Sequence, residues 1–397
     1  MSHCYISTAN ELQNLLYQLR DIPVIAYDTE FISENRYYSQ LCLIQIAAGE
    51  IQALIDPFSV GNLDAFWELL CDDRHEIVVH ACRSEMEFCY RAIHRLPNKL
   101  FDIQVAAGFL SNDYPAGYGT LLERFLKISL PKAESRTVWN NRPLTTQQIE
   151  YALGDVSYLE QLSQTLQKHL AEKNRIDWYS NEMKRIKQYL QNSFETPRWR
   201  SLPKISSLKP RELAILREIW FWRENIAKKR NLPSSRILRD DLVVELARRG
   251  TSDEKRIAAL RGMQRSDAHR IFPEISAAIN RALTLPPEEY PIPSDRFTFP
   301  QHSVMTQFLY AVLCSICQQN NISPQLVGGP GDVRELVAAE LGTLPSDVKP
   351  RLLSGWRGEL VGSLLNDLID GRTAIQIKRN NPDNPLNFVE NPVTKNQ

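Results

Sequence analysis

The chain contains no run of eighteen or more apolar residues, so no membrane span is expected. It opens Met1-Ser2-His3-Cys4-Tyr5, without a charged start leading into an apolar stretch, so no secretory signal is expected either. It has no excess of either charge: Lys+Arg and Asp+Glu are both 47. On average, that excludes an indiscriminate polycation. Seven cysteines at wide spacing and in odd number do not make a disulfide framework; they point to reduced thiols and a cytoplasmic location. Cys314 and Cys317 form a single CxxC with no second pair and only His302 nearby, short of the four ligands of a structural zinc site. Buried helix packing is the expected role of that pair. No short internal repeat is visible. What is present is 397 residues, 43% hydrophobic and 24% charged, which suits two or three globular domains with substantial cores.

The zero net charge is a sum of unequal parts. Residues 1–195 carry 18 basic against 25 acidic side chains, a net of −7. Residues 196–285 carry 20 against 10, a net of +10, and residues 286–397 carry 9 against 12, a net of −3. A compact basic block after an acidic half is a signal of nucleic-acid contact. It is equally the pattern of a helical domain with a solvated basic face.

Val24-Ile25-Ala26-Tyr27 reads as a buried strand running into Asp28-Thr29-Glu30-Phe31. Leu41 to Ala48 and Ile51 to Ile55 read as two further strands joined in a hairpin at Gly49-Glu50. Helical spacing follows at Leu63–Leu70, then a short strand at Ile77–His80, and mixed signals continue to about residue 190. This predicts an α/β sheet covered by helices. From Pro210 to about Leu285 the pattern is helical, with Trp220 and Trp222 expected in its core. Prolines at 286, 287, 291 and 293 mark a linker. Residues near 300–380 again look helical, and the Asn- and Pro-rich tail beyond is expected to fray.

Asp28 and Glu30 share one face of a strand. Two carboxylates beside a buried strand repel unless something positive lies between them, and Mg²⁺ or Mn²⁺ suits such hard oxygen ligands. Alone, the pair is also compatible with a solvated strand end. Tyr151 and Asp155 are i, i+4 neighbours on a helix that Thr145 or Thr146 would cap, where a phenol beside a carboxylate can hold a water. Alone, they are also an ordinary surface pair. His80 reads as a packed strand-end histidine. Ser84 and Glu87 fit a capping box, which places Glu85 in the first turn of a helix near the sheet.

Taken in order, these pieces resemble the ribonuclease D family of DEDDy-type 3′–5′ exonucleases. The first motif matches Asp28-Thr29-Glu30-Phe31 with Arg36-Tyr37-Tyr38 and Leu41–Ile46 after it; the second resembles His80–Phe88; the third, Tyr-x-x-x-Asp, matches Tyr151 and Asp155. Phe101–Ala107 and Arg136–Leu144 resemble further family segments. One departure is that the second motif usually carries Asp where this chain has Glu85. The extra methylene moves the carboxylate by roughly 1.5 Å, against a working tolerance of about 0.5 Å. Slower turnover or a preference for Mn²⁺ is the expected consequence.

The resemblance implies an α/β RNase H-like exonuclease domain, a mixed sheet flanked by helices, over residues 1–195. Two all-α HRDC-like domains would follow, at 208–286 and, more divergent, at 297–380, with a flexible tail at 381–397. It implies two divalent ions, Mg²⁺ or Mn²⁺, bridged by Asp28. Glu30 and Asp155 would complete one site, Glu85 would serve the other, and Tyr151 would orient the attacking water. The implied activity is 3′–5′ exoribonuclease action that releases nucleoside 5′-monophosphates, with RNA such as tRNA precursors as partner. Lys228, Lys229, Arg230, Arg236, Arg239, Arg248 and Arg249 are the candidate phosphate contacts, and solubilising charges remain the other reading. Alternatives are an exonuclease acting mainly on DNA, or an RNA-binding protein whose catalysis has weakened at Glu85.

Overall fold

In a computed structural model, residues 4–130, 137–263, 268–293, 304–344, 348–381 and 384–391 are described. They form two bodies. The first comprises residues 1–30, 42–191 and 297–397, and the second residues 31–41 and 192–296.

The first body is built on a six-stranded sheet. Its strands are β1 (Cys4–Ile6), β2 (Val24–Ile32), β3 (Gln40–Ala48), β4 (Ile51–Ile55), β5 (Glu76–Val79) and β6 (Leu100–Asp102), in the order β1-β4-β3-β2-β5-β6. The expected hairpin is β3–β4, antiparallel with Ala48 opposite Ile51. β1 pairs with β4, β2 with β5, and β5 with β6, all in parallel. Ile25, Ala26 and Tyr27 are buried in succession because helices cover both faces of the sheet, and such a strand needs apolar residues in both directions. Tyr27 meets the rings of Phe66 and Trp67 edge-on at 6.2 and 6.5 Å. The ladder from β2 to β5 covers Val24–Ala26. Asp28 and Glu30 therefore run past it on that side, toward the carboxyl ends of the parallel strands, where open α/β sheets hold their ligands.

Residues 304–391 belong to this body. Arg175 ties two of its parts together, donating to the carbonyls of Phe109 at 2.6 Å and Asn320 at 2.8 Å. Trp178 stacks on Trp356 with ring centroids 5.7 Å apart. The deeply buried Arg357 donates to Glu182 at 2.8 Å. Cys317 is buried in the helix Val304–Gln319 and Cys314 lies half-buried beside it, both as free thiols, as expected of the CxxC pair.

Two expectations need correction here. The last region is helical but not all-α, since β7 (Thr373–Ile377) pairs antiparallel with β8 (Leu386–Glu390). The tail expected to fray thus contains a strand, because alternation in Leu386-Asn387-Phe388-Val389 lets it zip onto β7 despite the flanking Asn and Pro. Residues 392–397 lie outside the described residues, as do 297–303 of the second expected helical domain, His302 among them, and Arg136.

The second body is helical. Helices Pro210–Arg230, Asp240–Arg249 and Ala268–Leu283 enclose a core that includes Leu216, Ile219, Val243, Leu246, Ile275 and Ile279. Trp222 is buried there with its indole N–H on Glu274 at 2.6 Å, and Trp220 is partly buried against the same core. The loop after β2 packs here too. Tyr37 lies against the core, the Tyr38 amide donates to Asn231 Oδ1 at 3.0 Å, and Arg236 donates to Asn35 at 3.3 Å. Sequence order alone assigned residues 31–41 to the exonuclease domain; their side chains find their partners in the helical one.

Candidate active site

The strand period places Thr29 between two acids and gives it a different task. Thr29 is 5% exposed and its hydroxyl donates to Glu85 Oε1 at 2.9 Å. Glu85 is 4% exposed, and its other oxygen has no hydrogen-bond partner. It sits in the first turn of the helix Arg83–Ile93, as expected, but the Ser84–Glu87 capping box does not form. The helix begins at Arg83 with Cys82 as N-cap and no side-chain cap. Ser84 already stands inside the helix, one residue past its start, and the chain before it is held by Asp102. From the end of β6 its two oxygens accept the amides of Ala81 at 3.2 Å and Cys82 at 2.8 Å, and those of Gln104 and Val105 at 2.9 and 3.3 Å. One buried carboxylate thus serves two helix starts. A left-handed Ala81, φ 61°, turns the chain into that arrangement.

At the other side of the site, Thr145 caps the helix Thr146–Gly154. Its hydroxyl accepts the Gln148 amide at 3.2 Å, and Gln148 Oε1 accepts the Thr145 amide at 2.9 Å. This fixes the helix on which Tyr151 stands, with Asp155 at its C-cap within electrostatic reach of the Tyr151 phenol.

The acids act on one another. Glu30 is pushed up to about 8 by burial and by the charges of Asp28, Asp155 and Glu85. Asp155 is pushed up to about 7 by burial and Asp28, against the Tyr151 phenol. Burial, with the Asp28 charge second, holds Glu85 well above the usual carboxylate range. Burial likewise raises Asp28, against the Thr29 amide and the nearby His80. Asp28, Glu30, Glu85 and Asp155 are thus brought into one electrostatic cluster. Four such groups cannot all stay ionised without added positive charge. Among the described residues, no three His, Cys, Asp or Glu side chains are already gathered as a ready-made metal cage. The donors nevertheless suit a hard divalent ion: all are carboxylate oxygens, and one of them, Glu85 Oε2, is buried and unpaired.

Sequence reasoning missed Thr29, Asp102 and Tyr118. The Tyr118 hydroxyl accepts the Tyr158 amide at 3.2 Å, and the ring lies 6.0 Å from that of His80. Burial, then the Asp155 and Asp28 charges, raise its phenol. His80 is packed as expected, with Nε2 donating to the Ala116 carbonyl at 2.9 Å.

The basic candidates separate into two groups. Arg239 is paired with Asp241 at 2.6 Å and Arg249 with Glu245 at 3.0 Å. Arg248 donates to Ser207, Arg236 to Asn35, and Lys228 lies 6.0 Å from the Tyr37 ring centre. Lys228, Lys229 and Arg230 are exposed on the last turn of their helix, with no acid partner among the described residues.

Comparison with known proteins agrees with this geometry. Residues 4–171 match the family model described as 3′-5′ exonuclease, and residues 212–279 match the HRDC domain. The chain is 31% identical over 385 residues to a ribonuclease D of Zymomonas mobilis, covering 95% of this chain and 96% of that protein. It is 30% identical over 377 residues to one of Nitrobacter hamburgensis, covering 94% and 97%. Among solved structures it is similar to Escherichia coli RNase D, described as an exoribonuclease involved in structured RNA processing. The TM-score is 0.79 at 28% identity, over 94% of this chain and 99% of that one.

Proposed function

This chain belongs to the ribonuclease D family, and on that footing we propose that Asp28, Glu30, Glu85 and Asp155 hold two divalent ions for hydrolysis at an RNA 3′ end. The chain is a 3′–5′ exoribonuclease, and its exonuclease fold is one of a metal-dependent family. The observation that carries the proposal is the gathering of four carboxylates around the end of β2, three of them raised by the charge of Asp28. Asp28 raises each of the other three, which suits a ligand shared by both ions. Glu30 and Asp155 would complete one site and Glu85 the other. Bound there, such ions would lower the pKa of the attacking water and stabilise charge on the leaving 3′ oxygen.

Tyr151 holds that water. Burial, then Asp155 and Glu30, raise its phenol, so it stays protonated and acts as a hydrogen-bond partner rather than a base. The products are nucleoside 5′-monophosphates. Glu85, despite its extra methylene, is fixed by Thr29 inside the cluster, which supports a working ligand rather than a decayed one. Lys228, Lys229 and Arg230 of the HRDC domain grip phosphates, residues 297–380 form a second HRDC-like domain, and structured RNA such as tRNA precursors is the substrate. Time courses on matched RNA and DNA oligonucleotides, with Mg²⁺ and Mn²⁺ in parallel, test the site and the substrate. Mononucleotide release from 3′-hydroxyl RNA, lost on chelation, is expected. Release unaffected by chelation refutes the metal site, and faster loss of DNA refutes the RNA preference.

A further inference from the structure

The segment Arg136–Leu144 before the third motif carries Arg142, a partly buried side chain that makes five directed hydrogen bonds. Its guanidinium grips Asp56 in a bidentate fork, Nε to Oδ2 at 2.7 Å and Nη2 to Oδ1 at 2.9 Å. Nη2 also donates to the Cys42 carbonyl on β3 at 2.7 Å. Asp56 is itself fixed at the end of β4: it accepts the Tyr5 hydroxyl at 2.9 Å and the Phe58 amide at 3.0 Å, and is 2% exposed. The guanidinium therefore stands on the sheet. Its remaining arm, Nη1, donates to the backbone carbonyls of Trp139 and Asn141, both at 2.9 Å. Trp139 is 3% exposed and its indole lies 5.9 Å from the Tyr151 ring, tilted by 43°. A second tie joins the same loop to the Tyr151 helix: Gln148, one turn before Tyr151, donates to Thr137 Oγ1 at 3.0 Å.

We infer that Arg142 is a positioning residue for the exonuclease reaction: braced on Asp56 and the Cys42 carbonyl, it sets the Trp139 indole against which the Tyr151 ring rests. The contacts run from guanidinium to Trp139 backbone, then indole and phenol ring. All of these contacts are within the protein. They fix where the Tyr151 hydroxyl stands, and the inference so rests on the reading of Tyr151 as the residue that orients water. A misplacement of about 1 Å at such a group can cost on the order of a hundredfold in rate. Lysine cannot reproduce the fork, because its ammonium cannot serve Asp56, Cys42 and Trp139 together in one plane.

The test is a double-mutant cycle on a 3′-hydroxyl RNA oligonucleotide with Mg²⁺, measuring kcat and KM for the full chain, Arg142→Lys, Tyr151→Phe and the double variant. Arg142→Lys is expected to lower kcat roughly 10- to 100-fold with KM within about twofold. Tyr151→Phe is expected to lower it at least as far, and the double variant no further than Tyr151→Phe alone, because both remove one function. If the two losses multiply, Arg142 acts by another route and the inference fails while the Tyr151 reading stands. Wild-type kcat in Tyr151→Phe overturns that reading, and this inference with it. If thermal melting shows Arg142→Lys unfolded, Trp139→Phe carries the same cycle. It keeps an aromatic ring but withdraws its far edge from Tyr151, and full activity in that variant refutes the inference.

Discussion

The ion pair between Glu182 and Arg357 gives the most quantitative prediction. Both are deeply buried, at 1% and 4% exposure. Arg357 Nη1 donates to Glu182 Oε2 at 2.8 Å, while its Nε and Nη2 satisfy the carbonyls of Val327 at 2.7 Å and Leu326 at 2.9 Å. Arg185 holds the other carboxylate oxygen at 2.6 Å. Burial alone would raise the Glu182 carboxyl, but Arg357 and Arg185 outweigh it and hold it at about 2. Relative to an ordinary value of 4.5, that is worth about 3 kcal/mol at neutral pH. The figure falls within the roughly 3–5 kcal/mol typical of breaking a buried pair. Because the folded pKa is depressed, this stability is fully present above about pH 4.5 and is lost as pH falls toward 2. Glu182→Gln should therefore cost about 3 kcal/mol at pH 7, and its deficit should shrink by about 2 kcal/mol by pH 3. Urea unfolding followed by near-ultraviolet circular dichroism would measure both, since the stacked Trp178 and Trp356 report on this body. A deficit below 1 kcal/mol at pH 7, or one that does not change with pH, would refute the reasoning.

Other outcomes follow from the site. Asp28→Ala and Asp155→Ala should each lower cleavage by at least a thousandfold while circular dichroism stays native; residual activity within tenfold of wild type would remove either from the site. Glu85→Asp should keep or raise activity, and a large loss would mean that the longer side chain, held by Thr29, is an adaptation. Since Glu30 and Asp155 titrate at about 8 and 7, Mg²⁺ binding at pH 7 should release protons, and affinity should rise with pH. Calorimetry in two buffers of different ionisation enthalpy reads this, and equal heats would contradict it. Neutralising Lys228, Lys229 and Arg230 together should weaken RNA binding and reduce its salt slope by up to about 0.7 per lost phosphate contact on a single strand. Neutralising Arg239 and Arg249, already paired with acids, should leave that slope unchanged.

The elements that sequence alone determined are those with short-range causes. A strand's period of two is a property of the backbone, so Asp28 and Glu30 belong together in any fold that makes Val24–Ile32 a strand. Threonine followed three residues later by glutamine caps a helix through contacts four residues wide, so the start of the Tyr151 helix was legible at Thr145. The hairpin at Gly49 and the basic block were legible for the same reason. Tertiary structure decided what depends on residues distant in the chain. Ser84 and Glu87 have the spacing of a cap, but Asp102 arrives from β6, holds the Ala81 and Cys82 amides, and the helix starts before Ser84. Glu85 becomes a site residue through Thr29, fifty-six positions away. The loop at 31–41 finds its partners near Asn231 and Arg236, and the last third of the chain finds its own at Arg175 and Glu182. Local periodicity records which way a side chain points; only packing settles what it meets there.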